Sequence, residues 1–233
     1  MQKILCDINF LRRAAIIGLV CFFALHANIA RAILVTNPAS LGSSTVIDFS
    51  QFSGSFQFTT GPVQIGGVVG SDVTWESTYG SSVIGDGGYG LGSNGIWNSG
   101  RNGYTGTNSD TAAMTYRFLD GPVAGVGGFV NYTVAPDGPS DAIISVLDSN
   151  DVVLESYNIS VLAPIVTPFA VNDGAFRGIL RNSADIYALR LSDKFSVLDD
   201  LTFTGEVPEP SSIILAAIGL TGLGALRKRS RRF

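Results

Sequence analysis

The run Val197-Leu198-Asp199-Asp200-Leu201 sets two carboxylates inside an otherwise apolar stretch. Side chains alternate faces along an extended strand, so Phe195, Val197, Leu201 and Phe203 share one face and Asp199 lands among them. A carboxylate on an apolar face is costly unless it is paired, bonded to backbone N–H groups or bound to a cation. Hard oxygen ligands suit calcium, and Asp48 joins the pair if the first and last strands of the body are neighbours. The expectation is a structural Ca²⁺ site at Asp48, Asp199 and Asp200. It stands against two plainer readings: aspartates that only cap or turn a strand end, or a bulge that flips Asp199 out of the apolar face. The runs DGPSD (137–141) and DSND (148–151) resemble calcium loops in composition alone, because neither has the twelve-residue spacing with a terminal Glu.

A second constellation is aromatic. Trp75, Tyr89, Trp97 and Tyr104, with Tyr79, fall in one window that holds all the tryptophan of the chain. Rings on exposed loops stack on sugar C–H faces, which makes these four candidates for glycan stacking in a carbohydrate-binding module. The competing reading has the same rings fastening a glycine-rich loop to its own core, and the large area an aromatic ring buries favours that reading.

Other chemistry is excluded by composition. The single histidine, His26, and both cysteines, Cys6 and Cys21, lie in the first 32 residues. If that segment is removed, the body has no imidazole and no thiol, and Ser-His-Asp or Cys-His nucleophiles and His- or Cys-ligated zinc are excluded there. The glutamates Glu76, Glu155 and Glu206 stand in no catalytic context, so a glycan-active hydrolase with paired carboxylates is a remote alternative and the body reads as non-enzymatic. Nine of the fifteen basic residues lie in the terminal segments, leaving six against eighteen acids and a net charge of −12 for residues 33–210. So acidic a body is repelled by nucleic acid and anionic lipid.

The elements that must position these residues read as strands. Short alternating runs recur at 45–52, 61–69, 113–118, 124–134, 185–191 and 195–205, without a sustained helical period. In AMTYRF (113–118), Met114, Tyr116 and Phe118 share a face, and in DIYALRL (185–191) Tyr187, Leu189 and Leu191 point inward. AIISVLDSNDVVLESY (142–157) reads as a hairpin with its turn at 148–151, where Asx side chains bond their own backbone. Roughly ten such strands predict an all-β, antiparallel two-sheet sandwich of jelly-roll type over 33–205. Residues 79–110 interrupt it as a long glycine-rich loop, a usual place for binding.

Both termini read as targeting segments. Lys3, Arg12 and Arg13, an apolar stretch over 14–25 and the small-x-small site at Ala30 and Ala32 predict a signal peptide over 1–32, cleaved by signal peptidase. At the other end an apolar helix over 213–226 reaches about 21 Å at ~1.5 Å per residue, short of the ~30 Å hydrocarbon core. It predicts a short transmembrane helix of marginal length, with its basic flank kept cytoplasmic.

Val207-Pro208-Glu209-Pro210-Ser211-Ser212, the apolar helix and the basic cluster Arg227, Lys228, Arg229, Arg231 and Arg232 together resemble the PEP-CTERM protein-sorting signal, over residues 206–233. The resemblance implies that Pro208-Glu209-Pro210 is read by an exosortase, a membrane-embedded processing enzyme, while the helix and basic cluster hold the motif at the membrane. It also implies Gram-negative-type bacteria that make extracellular polysaccharide, with the protein passing through the inner membrane to the envelope, surface or matrix. FSQFSG and VLDDLTFTG are similar to sandwich domains found ahead of such tails. The expected function is that of a secreted structural or adhesive surface protein, with polysaccharide binding as the alternative.

Overall fold

The computed structural model describes residues 32–97, 103–134 and 141–205. The expected signal helix and tail helix lie outside these residues. In chain order the first strands are β1 (Ala32–Val35), β2 (Thr45–Ile47), β3 (Gln57–Phe58), β4 (Val63–Gln64), β5 (Val73–Ser77) and β6 (Val83–Gly85). β7 (Tyr89–Gly90), β8 (Ile96–Trp97), β9 (Tyr104–Gly106), β10 (Ala113–Phe118) and β11 (Gly125–Asn131) follow. β12 (Ile143–Leu147), β13 (Val153–Asn158), β14 (Val171–Asn172), β15 (Ala175–Arg181), β16 (Ala188–Ser192) and β17 (Val197–Thr204) complete the set. Apart from short 3₁₀ turns, Ile159–Leu162 is the one helix among the described residues.

Two antiparallel sheets face each other. One has the order β1-β15-β11-β17-β9-β6-β3, with β2 also paired to β17, and the other has the order β13-β12-β16-β10-β5-β4. A small third sheet, β14-β8-β7, includes the parallel pair β14–β8. The chain is thus an all-β sandwich, as its alternation predicts. β10 shows why: Met114, Tyr116 and Phe118 enter the inter-sheet core with Trp75, Ile144, Leu189 and Leu191, against Ile47, Val126, Ile179, Leu198 and Leu201 of the opposite sheet. The β12–β13 hairpin turns where the Asx residues lie, and Asp148 Oδ1 accepts from the backbone N–H groups of Asn150 and Val152 at 2.8 and 2.9 Å. In the 185–191 run, Leu189 and Leu191 point inward as expected, but Ile186 rather than Tyr187 fills the core ahead of them. Ile186 forms an isolated bridge to Val123 before β16 begins, which breaks the alternation.

β17 also departs from strict alternation. Its register against β11 shifts between Gly127 and Phe129, and Asp200 takes a left-handed φ of 48°. A bulge of this kind inserts one extra residue and reverses the faces beyond it. Leu198 and Leu201 therefore both reach the inter-sheet core, while Val197 belongs to a separate cluster on the outer face of the same sheet.

That outer cluster is where the glycine-rich excursion folds. Residues 79–110 contain four short strands, β6 to β9, instead of an open loop. Tyr89, Leu91 and Trp97 pack with Val83, Tyr104 and Val197, and Phe56, Phe129 and Phe195 close the edges. Glycine is required where this layer meets the sandwich. Gly174 has a φ of +60°, and a Cβ there would collide with the Val130 carbonyl and the Trp97 ring.

Candidate functional site

The four aromatic candidates are inside the molecule. Trp75 stands in the inter-sheet core, and Trp97 is 0% exposed in the outer cluster with Tyr89 and Tyr104. Tyr104 makes edge-on ring contacts with Phe56, Tyr89 and Trp97 at centroid distances of 5.7, 6.3 and 6.1 Å, and its hydroxyl donates to the Gly87 carbonyl. Burial pushes the phenols of Tyr89, Tyr104 and Tyr116 well above the ordinary tyrosine range. A ring enclosed on both faces has none left for a sugar. Trp75, Tyr89, Trp97 and Tyr104, the rings expected to stack on glycans, are thus buried side chains that fasten the excursion and the core.

The aspartates divide differently. β2 pairs antiparallel with β17, matching Ile47 to Leu201, so the next step along the ladder sets Asp48 beside Asp200. The terminal strands therefore meet as the calcium reading needs, and two of the three carboxylates accept from backbone N–H groups. Asp48 Oδ1 accepts from Ser50 N–H at 3.1 Å, and Asp199 Oδ1 accepts from Asp200 N–H at 2.6 Å. Asp199 is fully buried, opposite Phe129 on the outer face of the sheet. Among the described residues no group of three or more His, Cys, Asp or Glu side chains is gathered closely enough to hold a metal ion. Asp48, Asp199 and Asp200, the residues expected to hold Ca²⁺, thus form no such group among the described residues.

Three charged side chains escaped the sequence reading. Arg177, buried among strands, donates to the carbonyls of Ala163, Pro164 and Phe176 at 2.8, 3.1 and 2.7 Å, and desolvation lowers its pKa. Arg181 holds Asp185 at 2.7 Å and Glu155 at 3.1 Å. Arg117 bonds Glu76 at 2.8 Å and grips both carboxylate oxygens of Asp151. The Arg117 hydrogen bond holds the Asp151 carboxyl below its usual range. Their only sequence signal is a lone arginine on a strand, and that does not name its partner.

What the structure gathers is a molecule with two distinct ends. One end carries both chain exits. Ala32 pairs with Arg181, Arg181 N–H donates to the Ala124 carbonyl, and Ala124 N–H donates to the Thr204 carbonyl, so β1 begins where β17 finishes. A shallow pocket opens beside that exit, floored by Val73, Phe118, Val123 and Phe203 and rimmed by Asp72 and Asp120. Asp120 accepts from Asp72 N–H at 2.6 Å, and Leu119 beside it is exposed.

The opposite end carries the segment between the helix Ile159–Leu162 and β15. A buried amide network secures it. Asn94 donates to Asn131 Oδ1, the Tyr132 carbonyl and the Ile165 carbonyl at 2.6, 2.9 and 3.2 Å, and accepts from Thr167 N–H at 2.7 Å. Ile165 and Thr167 thus point inward, and the residues between and beyond them point out. Val166 is 71% exposed, Phe169 87% and Val171 66%, with Val161 and Leu162 also exposed on the helix. Phe169 is held there with a left-handed φ of 56°.

Comparison with protein families finds a PEP-CTERM protein-sorting motif at residues 206–231. The chain carries this signal, which marks an exported protein sorted to the cell envelope or surface through an exosortase-type enzyme. Pro208, Glu209, Pro210 and the basic residues Arg227, Lys228, Arg229 and Arg231 fall within the matched span, and Arg232 follows it. These residues, like Ala30 of the expected signal-peptidase site, lie outside the described part of the structure, while Ala32 opens β1. No curated protein matches the chain significantly.

Proposed function

We propose that this chain is a non-enzymatic surface or matrix protein of a Gram-negative-type bacterium, delivered by its C-terminal signal and working through structural or adhesive contacts of the β-sandwich. The observation that supports it is the apolar segment at 161–171, displayed at the end of the sandwich opposite the one where β17 finishes. Exposed apolar groups gathered on one surface mark contact sites more often than chance exposure does. A tail that delivers the body to the envelope leaves that far end facing outward, toward a neighbouring component of the surface or matrix. Polysaccharide binding is the weaker reading, because the rings that would have carried it are enclosed.

The test is fractionation of tagged protein in cells with and without the processing enzyme, with mass spectrometry of the mature C-terminus. Sorting predicts loss of the tail only where the enzyme is present. A tail found intact in the mature surface protein replaces sorting with plain anchoring. Phe169→Asp tests the contact surface: retention in the matrix fraction is expected to drop while export and tail removal stay unchanged.

A further inference from the structure

The chain leaves the sandwich at Thr204, whose carbonyl is still bonded to Ala124, and Pro208 follows after only Gly205, Glu206 and Val207. Four residue steps span at most about 14 Å at ~3.3–3.6 Å per residue, and six steps to Pro210 about 21 Å. A compact domain of 100 residues has a radius of gyration of about 13 Å. An enzyme that closes around Pro208-Glu209-Pro210 is wider than the tether is long. Its surface must therefore meet the end of the sandwich from which the tail departs.

We infer that this exit end is a second recognition surface for the processing enzyme, read together with the motif. The inference rests on the sorting reading above. The residues at hand are the exposed Leu119, the acidic rim of Asp72 and Asp120, and the apolar floor of Val73, Phe118, Val123 and Phe203. The loops are held firmly enough to be read. Leu119 N–H donates to the Asp72 carbonyl at 2.8 Å, and Gln64 Nε2 donates to Asp72 Oδ1 at 2.5 Å. With the tether this short, binding of the motif brings the exit end to the enzyme at a high effective concentration. A weak contact there then contributes to affinity without being strong alone. The acidic rim favours a partner face with basic groups.

Three variants test this in the full-length precursor, with tail removal followed by pulse-chase in cells. Leu119→Arg and Asp120→Lys, confirmed as folded by an unchanged melting temperature of the body, are expected to slow tail removal about threefold or more. A ten-residue Gly-Ser insertion between Gly205 and Glu206 is expected to slow it as well, because it uncouples the two contacts. Leu119→Arg added to the insertion then costs little beyond the insertion alone. Phe169→Asp at the far end is the control and leaves the rate unchanged. Wild-type rates in both exit-end variants would overturn the inference. An insertion that leaves processing unchanged or speeds it would do the same, showing the body to be merely tolerated. Tail removal that persists in Glu209→Ala instead removes the sorting reading itself, so the two failures are distinguishable.

Discussion

Trp97 shows what the aromatic residues are for. Its ring is fully enclosed between the edge of Tyr104 and the backbone at Gly174. Truncating a buried tryptophan leaves a large cavity, and Trp97→Ala is expected to lower stability by about 3–5 kcal/mol in a urea melt. A substitution that left the melt unchanged would mean that the ring is free to face solvent. Asp199 makes the complementary case. Its carboxylate answers the Asp200 N–H in the bulge, so Asp199→Ala leaves a part-buried donor without that bond and is expected to cost about 1–3 kcal/mol. EDTA is expected to leave the melting temperature of the wild-type body where it is; a fall would restore a metal at these aspartates. The clustering of Trp75, Tyr89, Trp97 and Tyr104 was visible in the sequence, and so was the conflict at Asp199. Which side of the layer each side chain faces was not. That depends on a one-residue bulge at Asp200 and on strands brought together from distant parts of the chain.

Strands differ in how far their sequence declares them. β10, β12, β13 and β17 run over five to eight residues, long enough to be read as strands, although the bulge at Asp200 breaks the alternation of β17. β6 to β9 are two or three residues each and exist because Tyr89, Trp97 and Tyr104 fasten them to the sandwich. β1 was hidden for another reason: Ala32 follows directly on the apolar and small residues of the signal segment, and pairing with β15 alone declares the strand. The segment at 163–172 is likewise a tertiary product, since its shape rests on Asn94 from another layer. Asn94→Ala removes at one stroke one of the two donors to Asn131 Oδ1 and the Asn94 side-chain bonds to the Ile165 carbonyl and the Thr167 N–H. The Ile165 carbonyl stays buried and the Thr167 N–H partly so, and a loss of about 1–3 kcal/mol is expected. Amide exchange should speed up at Ile165 and Thr167 before it does in the β10–β12 core. Uniform exchange across both regions would show that the network does not act on this segment alone.

The whole molecule has a direction that neither terminus supplies by itself. β17 delivers the sorting tail from the same end at which β1 begins, and the apolar display of Val166, Phe169 and Val171 lies at the other. A body of net charge −12 over 33–210 is repelled by anionic lipid, so the expected arrangement keeps the far end away from the membrane while the tail is retained. The absence of cysteine beyond Cys21 makes this measurable, because an introduced cysteine is the only thiol beyond the expected signal segment. In spheroplasts that lack the processing enzyme and so retain the tail, Phe169→Cys is expected to react readily with a large maleimide. Leu119→Cys, beside the exit, is expected to react several-fold more slowly and to catch up when detergent dissolves the membrane. Equal rates before detergent would mean that the body tumbles freely on its tether, and the far end would then have no fixed outward face to offer a neighbour.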